Sequence, residues 1–121
     1  MKILLIPFFI IFTLFSCADW TNQFNKDIYN KSANLIVNYH YISVAHEKDF
    51  AIVGINNNNQ RDTCYFSYIG EVIINLRKRD HLIKQPNSGL FIIIRPNNVN
   101  LKFNYELIDK AIYCNGKLEH Y

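Results

Sequence analysis

The chain has 121 residues, half of them hydrophobic, which is enough for one packed domain but leaves little room for a second. Its formal net charge of +3 is too small to indicate a nucleic-acid partner. Aromatic residues make up 15% of the chain, a composition that favours β-strands.

The chain begins with a short hydrophobic leader. Lys2 supplies a positive start, and residues 3–15 are apolar except for Thr13. A membrane-spanning helix needs about 20 apolar residues, so this stretch is too short to span a bilayer but suits the core of a signal peptide. We therefore predict that residues 1–16 are a signal peptide and that the protein is exported.

The leader ends in Leu14-Phe15-Ser16-Cys17, which resembles the lipobox of bacterial lipoproteins, although Phe15 departs from the smaller residue usual there. The resemblance implies lipid on the Cys17 sulfur, cleavage before Cys17 and an acylated amino terminus, which together would anchor the protein stably. Because Ala18 rather than Asp follows the cysteine, it also implies the outer membrane, facing the periplasm. The alternative is ordinary cleavage after Ala18, which would release a soluble domain.

The rest of the chain is predicted to be a polar tether over residues 17–32 and a β-rich domain over residues 33–121. From residue 34 the hydrophobic pattern has a period of two, which is typical of strands. Asn115-Gly116 predicts a two-residue hairpin pairing Cys114 with Lys117, Tyr113 with Leu118 and Ile112 with Glu119. The other strands are predicted at residues 35–42, 50–55, 63–69, 71–77, 90–95 and 99–107. About seven short strands indicate a small antiparallel β-sandwich or barrel.

Three cysteines occur, and Cys64 and Cys114 remain as a pair if Cys17 carries lipid. Export leads to an oxidising compartment, so a disulfide between them is predicted, with two buried thiols as the alternative. Neither cysteine has a second Cys or a His at ligand spacing, so no metal site is predicted.

No catalytic motif is present in the sequence, so we predict neither an enzyme nor a cofactor. The serines lack a nucleophile elbow, the four histidines are scattered, and the four glycines are isolated. The candidate partner-binding site is the basic run Arg77-Lys78-Arg79 with His81, which could meet anionic lipid or an acidic protein surface, or could be a solvated loop. Tyrosines on the strands could instead form an interface or pack in the core; they are Tyr39, Tyr41, Tyr65, Tyr68 and Tyr105.

The layout of the chain resembles the immunity lipoproteins of type VI secretion systems. The likeness is carried by the lipobox, by Thr63-Cys64-Tyr65-Phe66 and by the alternating strand at residues 99–107. It implies a non-catalytic periplasmic domain that binds a protein partner and neutralises a delivered toxin. Two alternatives stay open: a structural or assembly lipoprotein of the envelope, and a periplasmic lysozyme inhibitor.

Overall fold

The computed structural model describes residues 20–43 and 49–120, with the backbone alone at residues 118–120. The predicted signal peptide and Cys17 lie outside these residues. In this part of the chain no helix is both long and apolar enough to cross a bilayer. The elements are α1 (residues 20–29), β1 (Ala33–Ser43), β2 (Asp49–Asn56), β3 (Arg61–Phe66), α2 (Gly70–Asn75), β4 (His81–Lys84), β5 (Leu90–Ile94), β6 (Asn100–Ile108), β7 (Ala111–Cys114) and β8 (Lys117–His120).

The eight strands form one antiparallel sheet in the order β3-β2-β1-β4-β5-β6-β7-β8. All but one of the neighbouring pairs are also consecutive strands, because short turns allow each strand to fold back on the one before it. The predicted all-β class is therefore confirmed.

The sheet curls around its own hydrophobic core. β3 and β5 are four positions apart in the sheet, which would place them about 19 Å apart if the sheet were flat. The rings of Phe66 on β3 and Phe91 on β5 nevertheless meet edge to face at 5.0 Å, and Phe91 meets Tyr105 at 5.5 Å. The concave face thus encloses the core, and we call the opposite face the outer face.

A β-bulge in β1 exchanges the two faces of that strand. Leu35 and Val37 point into the core and are about 1% exposed. Between Val37 and Tyr39 the pairing with β2 shifts by one residue, so Asn38 has no partner. Because side chains alternate along a strand, one extra residue reverses every side chain after it. Tyr39 and Tyr41 therefore lie on the outer face, although the sequence pattern predicted the same face as Leu35 and Val37.

The strand predicted at residues 71–77 is wrong, because this segment forms the helix α2. Its buried residues are Val72 and, on either side, Ile69 and Leu76, whereas Ile74 is 79% exposed. Spacings of three and four residues between buried positions are those of a helix. α2 packs on the concave side, where the Val72 amide donates to the Tyr105 hydroxyl.

The polar tether predicted at residues 17–32 is wrong for the described part of that range, because residues 20–29 form α1. Phe24 and Ile28, one turn apart, are buried in the core. The helix widens into a π-helical turn at Asn25–Tyr29, where the Asn30 amide donates to the Asn25 carbonyl at 2.8 Å.

Two lysines join α1 to the sheet. The buried Lys84 ammonium of β4 donates to the carbonyls of Tyr29, Lys31 and Gln85 at 3.1, 2.6 and 2.8 Å. Lys31 donates to the Tyr65 carbonyl on the edge strand β3. These cations neutralise the negative end of the helix dipole, and they donate hydrogen bonds to carbonyls that would otherwise be unsatisfied.

The C-terminal half of the sheet follows the sequence pattern closely. Strands were predicted at both β5 and β6, and the Asn115-Gly116 hairpin pairs Cys114 with Lys117 and Tyr113 with Leu118 as expected. Ile112 pairs with His120 instead of the predicted Glu119, because a bulge adds one residue to β8. β4, which lies inside a predicted interruption, was not predicted.

The predicted disulfide is wrong, because Cys64 and Cys114 are both thiols. Cys64 lies on β3 and Cys114 on β7, six positions apart in the sheet. Burial, and to a smaller extent the nearby Asp62 carboxylate, raise the pKa of the Cys64 thiol to about 11.

Candidate partner-binding surface

The outer face of β1, β2 and β3 carries a group of large polar aromatic side chains over two small residues. Ala51 and Val53 on the central strand β2 are 0% and 2% exposed. Tyr41 and Tyr65 are the cross-strand neighbours of Ala51, and Tyr39 is a neighbour of Val53. Large side chains on the flanking strands therefore cover the small ones between them.

Arg61 holds Tyr39 in place across β2. Its guanidinium donates to the Tyr39 hydroxyl at 2.6 Å and lies 5.9 Å from the centre of the Tyr39 ring. The hydrogen bond fixes the ring's position, while the cation–π contact adds attraction. Tyr39 also stacks on Tyr41, with ring centres 6.2 Å apart and ring planes 27° from parallel.

Tyr41 and Tyr65 complete the group. Partial desolvation of Tyr41 and its interactions with Tyr65 raise the pKa of the Tyr41 hydroxyl. Tyr39 and Tyr41 still expose 47% and 45% of their surface. We call Tyr39, Tyr41, Tyr65 and Arg61 the tyrosine patch: it is fixed by internal contacts yet open to solvent.

The predicted basic site lies beside this patch. Arg77, Lys78 and Arg79 are exposed in the turn between α2 and β4, which we call the basic turn. The Arg79 amide donates to the Val37 carbonyl at 2.8 Å. Val37 is two residues before Tyr39, which corresponds to about 7 Å along a strand. Tyr39 thus has Arg61 on its β3 side, and the backbone of the basic turn is bonded to β1 on its β4 side.

His81, the fourth residue of the predicted basic site, lies on β4. Its ring nitrogen Nε2 is 2.6 Å from the Asn34 side-chain oxygen on β1. This bond ties the ring to the sheet, so His81 is part of the outer face rather than of the basic turn.

Isoleucines extend the apolar part of the outer face beyond the patch. Ile55, Ile36, His81 and Ile94 are successive cross-strand neighbours from β2 to β5. Ile83 and Ile92 pair in the next row on the same face. Ile36 is 43% exposed, and the other isoleucines of these two rows are half-buried. The surface beside the tyrosine patch is therefore largely apolar.

A separate polar cavity of about 330 Å³ lies at one end of the sheet. Asn34, Asn56, Asp62, Cys64 and Lys84 are among the residues that line it. The raised pKa of Cys64 keeps its thiol protonated, and the three N–H groups of Lys84 are bound to carbonyls. Neither group is placed to act as a nucleophile here. The cavity can offer hydrogen bonds, and its lining shows no nucleophile–base pair.

Of the strand tyrosines considered as interface residues, three come together and two do not. Tyr39, Tyr41 and Tyr65 form the patch, Tyr105 is buried in the core, and Tyr68 is in the turn after β3. The sequence carries no visible signal for the bulge that places Tyr39 and Tyr41 outside.

The fold and the surface define an all-β protein with one curled antiparallel sheet and an exposed tyrosine–arginine surface. No protein-family model matches the chain, and neither a curated protein nor a solved structure matches it.

Proposed function

We propose that this chain is a non-catalytic, lipid-anchored envelope protein that binds another protein through the tyrosine patch. The observation that carries the binding role is the exposure of Tyr39 and Tyr41 in a cluster held by Arg61. Tyrosine and arginine dominate the energetics of protein interfaces, because they bury a large area and offer hydrogen bonds. A cluster already fixed in the free protein loses little side-chain entropy on binding.

The proposed biological role is immunity against a toxin delivered into the periplasm. The likeness in layout to immunity lipoproteins supports this role, and the lipobox supports an anchor at the outer membrane through Cys17. The mechanism is occlusion: the preformed outer face docks on the toxin and blocks its functional site.

The anchor is tested on the protein made in its own cells. We expect the intact mass to correspond to a chain beginning at an acylated Cys17, and Cys17→Ala to remove the protein from the membrane fraction. Cys64→Ala is the matched control and should stay in the membrane. An unmodified chain beginning at Asp19 would show ordinary secretion and would exclude the anchor.

Immunity is tested by competition between bacterial strains. We expect a strain that lacks this gene to be killed by neighbours of the parent strain, and wild-type protein to restore its survival. Tyr39→Ala with Tyr65→Ala should restore it poorly, whereas Lys117→Ala on the far edge strand should restore it fully. A deletion strain that survives as well as its parent would rule out immunity. Stable co-purification with envelope proteins, or inhibition of lysozyme, would then identify one of the two alternatives.

A further inference from the structure

We propose that the partner presents an acidic protein surface to the tyrosine patch, and that Arg61 and the basic turn are the cationic rim that recognises it. This inference rests on the proposed function, because it names the chemistry of the partner that the same surface binds. It goes beyond that function by assigning the rim a role in both the association rate and the specificity of binding.

The first support is the placement of the cations. Arg61 lies on one side of Tyr39, and the basic turn is hydrogen-bonded to β1 just before Tyr39 on the other side. A hydrophobic or aromatic centre with a charged rim is the usual anatomy of a specific protein interface. The four residues named as the rim, Arg61, Arg77, Lys78 and Arg79, are all cations.

The second support is that two carboxylates near this rim, those of Asp80 and Asp49, already have partners within the chain. Asp80, which closes the basic turn, is 1% exposed and forms an ion pair with Arg95 at 3.7 Å. Asp49 on β2 accepts a hydrogen bond from Ser67. Within residues 20–43 and 49–117, no side-chain ion pair involves the three cations of the basic turn. Their charge is thus available to a partner.

The same charges argue against a second copy of the chain as the occupant. Face-to-face docking of two copies would bring two cationic rims together, and like charges across an interface disfavour association. A lipid surface fits less well, because Tyr39 and Tyr41 stack on each other and Tyr39 is bound to Arg61. Rings held in this way offer a broad contact area and do not project as wedges into a bilayer.

The test uses poly-L-glutamate as a defined acidic polypeptide and poly-L-lysine as the control of opposite charge. The full-length lipid-anchored protein is held in dodecyl maltoside micelles, and binding is followed by calorimetry at low and high salt. We expect the protein to bind poly-L-glutamate and not poly-L-lysine. High salt should weaken this binding by about tenfold or more, because exposed charges are screened. Tyr39→Ala should weaken it by about tenfold.

Charge variants separate the rim from general attraction. Arg61→Glu with Arg79→Glu should weaken binding by about tenfold or more, whereas Lys117→Glu on β8 should change it less than about twofold. Circular dichroism checks that each variant is folded, and Arg61→Gln with Arg79→Gln replaces the reversal if that variant is not. Absence of binding, or an equal loss in Lys117→Glu, would overturn the inference.

Two further results would overturn the inference in favour of another occupant. Tighter binding to phosphatidylglycerol vesicles than to poly-L-glutamate, lost in the same rim variants, would assign the surface to anionic lipid. A concentration-dependent dimer in sedimentation analysis, abolished by Tyr39→Ala, would assign it to a second copy.

If the protein protects cells but does not bind poly-L-glutamate, the acidic partner is wrong while the proposed function stands. If deletion causes no sensitivity, the proposed function itself fails.

Discussion

Lys84 is 2% exposed and has backbone carbonyls, rather than a carboxylate, around its charge. An ammonium removed from water is stabilised only if its N–H groups are bonded, and here all three are. Two of the three carbonyls belong to the end of α1 and the residues after it, so this one side chain fastens the helix to the sheet. Burying the Lys84 ammonium still costs free energy, because removal from water disfavours the charged form of the side chain.

That cost predicts an unusual pH dependence of stability. Burial lowers the pKa of Lys84 from 10.5 to about 8. Between these values the unfolded chain binds more protons than the folded one, so the free energy of unfolding rises with pH. Below about pH 8, Lys84 is charged in both states and contributes no pH dependence.

We expect this rise to be on the order of 1–3 kcal/mol. Urea unfolding of the wild type and of Lys84→Met, measured across this pH range, gives the difference due to Lys84. The variant keeps the titration of all other groups and should lose the rise. Equal slopes in the two proteins would show that Lys84 is not desolvated.

Cys64 gives a second prediction at the residue scale. A thiol with its pKa raised to about 11 has very little thiolate at neutral pH, and the thiolate is the reactive form. In the Cys114→Ala variant, iodoacetamide should alkylate native Cys64 roughly two orders of magnitude more slowly than the same chain in urea. Rapid alkylation of the folded protein would contradict the burial of this thiol.

At the scale of the element, the bulge in β1 decides which side chains face solvent. Without the extra residue, Tyr39 and Tyr41 would continue on the face of Leu35 and Val37. Gly54 sits opposite Val37 at this point, and a Cβ there would lie 2.3 Å from the Ile36 carbonyl oxygen. The close approach of the two backbones thus requires glycine at this site.

Deletion of Asn38 tests the bulge directly. It would direct Tyr39 and Tyr41 toward the concave side, and we expect a loss of at least about 3 kcal/mol in the free energy of unfolding. Asn38→Ala is the matched control, because it keeps the residue count, and should cost less than about 1 kcal/mol. Urea unfolding measures both. Similar stability of the two variants would mean that the residue count at this point does not set the faces.

Elements with a strong local signal could be predicted from the sequence. β6 has nine residues of alternating pattern, and the hairpin has Asn115-Gly116, whose φ angles of 53° and 83° are those of its turn type. The helix α2 could not be assigned from the sequence, because Val72, Ile74 and Leu76 also fit the period of two that is typical of a strand. The helical spacing becomes visible only in the structure, where Ile69 is buried together with Val72 and Leu76.

The candidate site was predictable in part. The basic turn stands out in the sequence as a run of three cations. The tyrosine patch does not, because it depends on a bulge and on pairing between distant residues such as Arg61 and Tyr39. Phe24 and Ile28 do show a four-residue spacing that could have indicated α1. The surrounding polar residues concealed it.

For the whole molecule, closure of the curl depends on a few aromatic contacts. Phe91 on β5 touches Phe66, four positions away on β3, and Tyr105 on the adjacent strand β6. The Phe66–Phe91 contact joins strands four positions apart and forms only when the sheet has curled, so Phe91 links β3 to the β5–β6 side of the core.

Phe91→Ala should therefore destabilise the protein by about 3–5 kcal/mol, the range for a large aromatic removed from a packed core. Phe50→Ala is the control, since Phe50 is only half-buried at the margin of the core and should cost less. Denaturant unfolding compares them. Equal losses would show that the curl is held by general burial and not by the Phe66–Phe91–Tyr105 contact.

The presence of α1 has a consequence for how the protein would sit in the cell. If Cys17 carries lipid, three peptide steps separate it from Trp20, the first described residue of α1, and these span at most about 11 Å. The domain would then lie close to the bilayer surface, because no long linker would separate it from the lipid. Under the proposed immunity role, the protein would meet its partner in the layer of periplasm directly above the lipid headgroups.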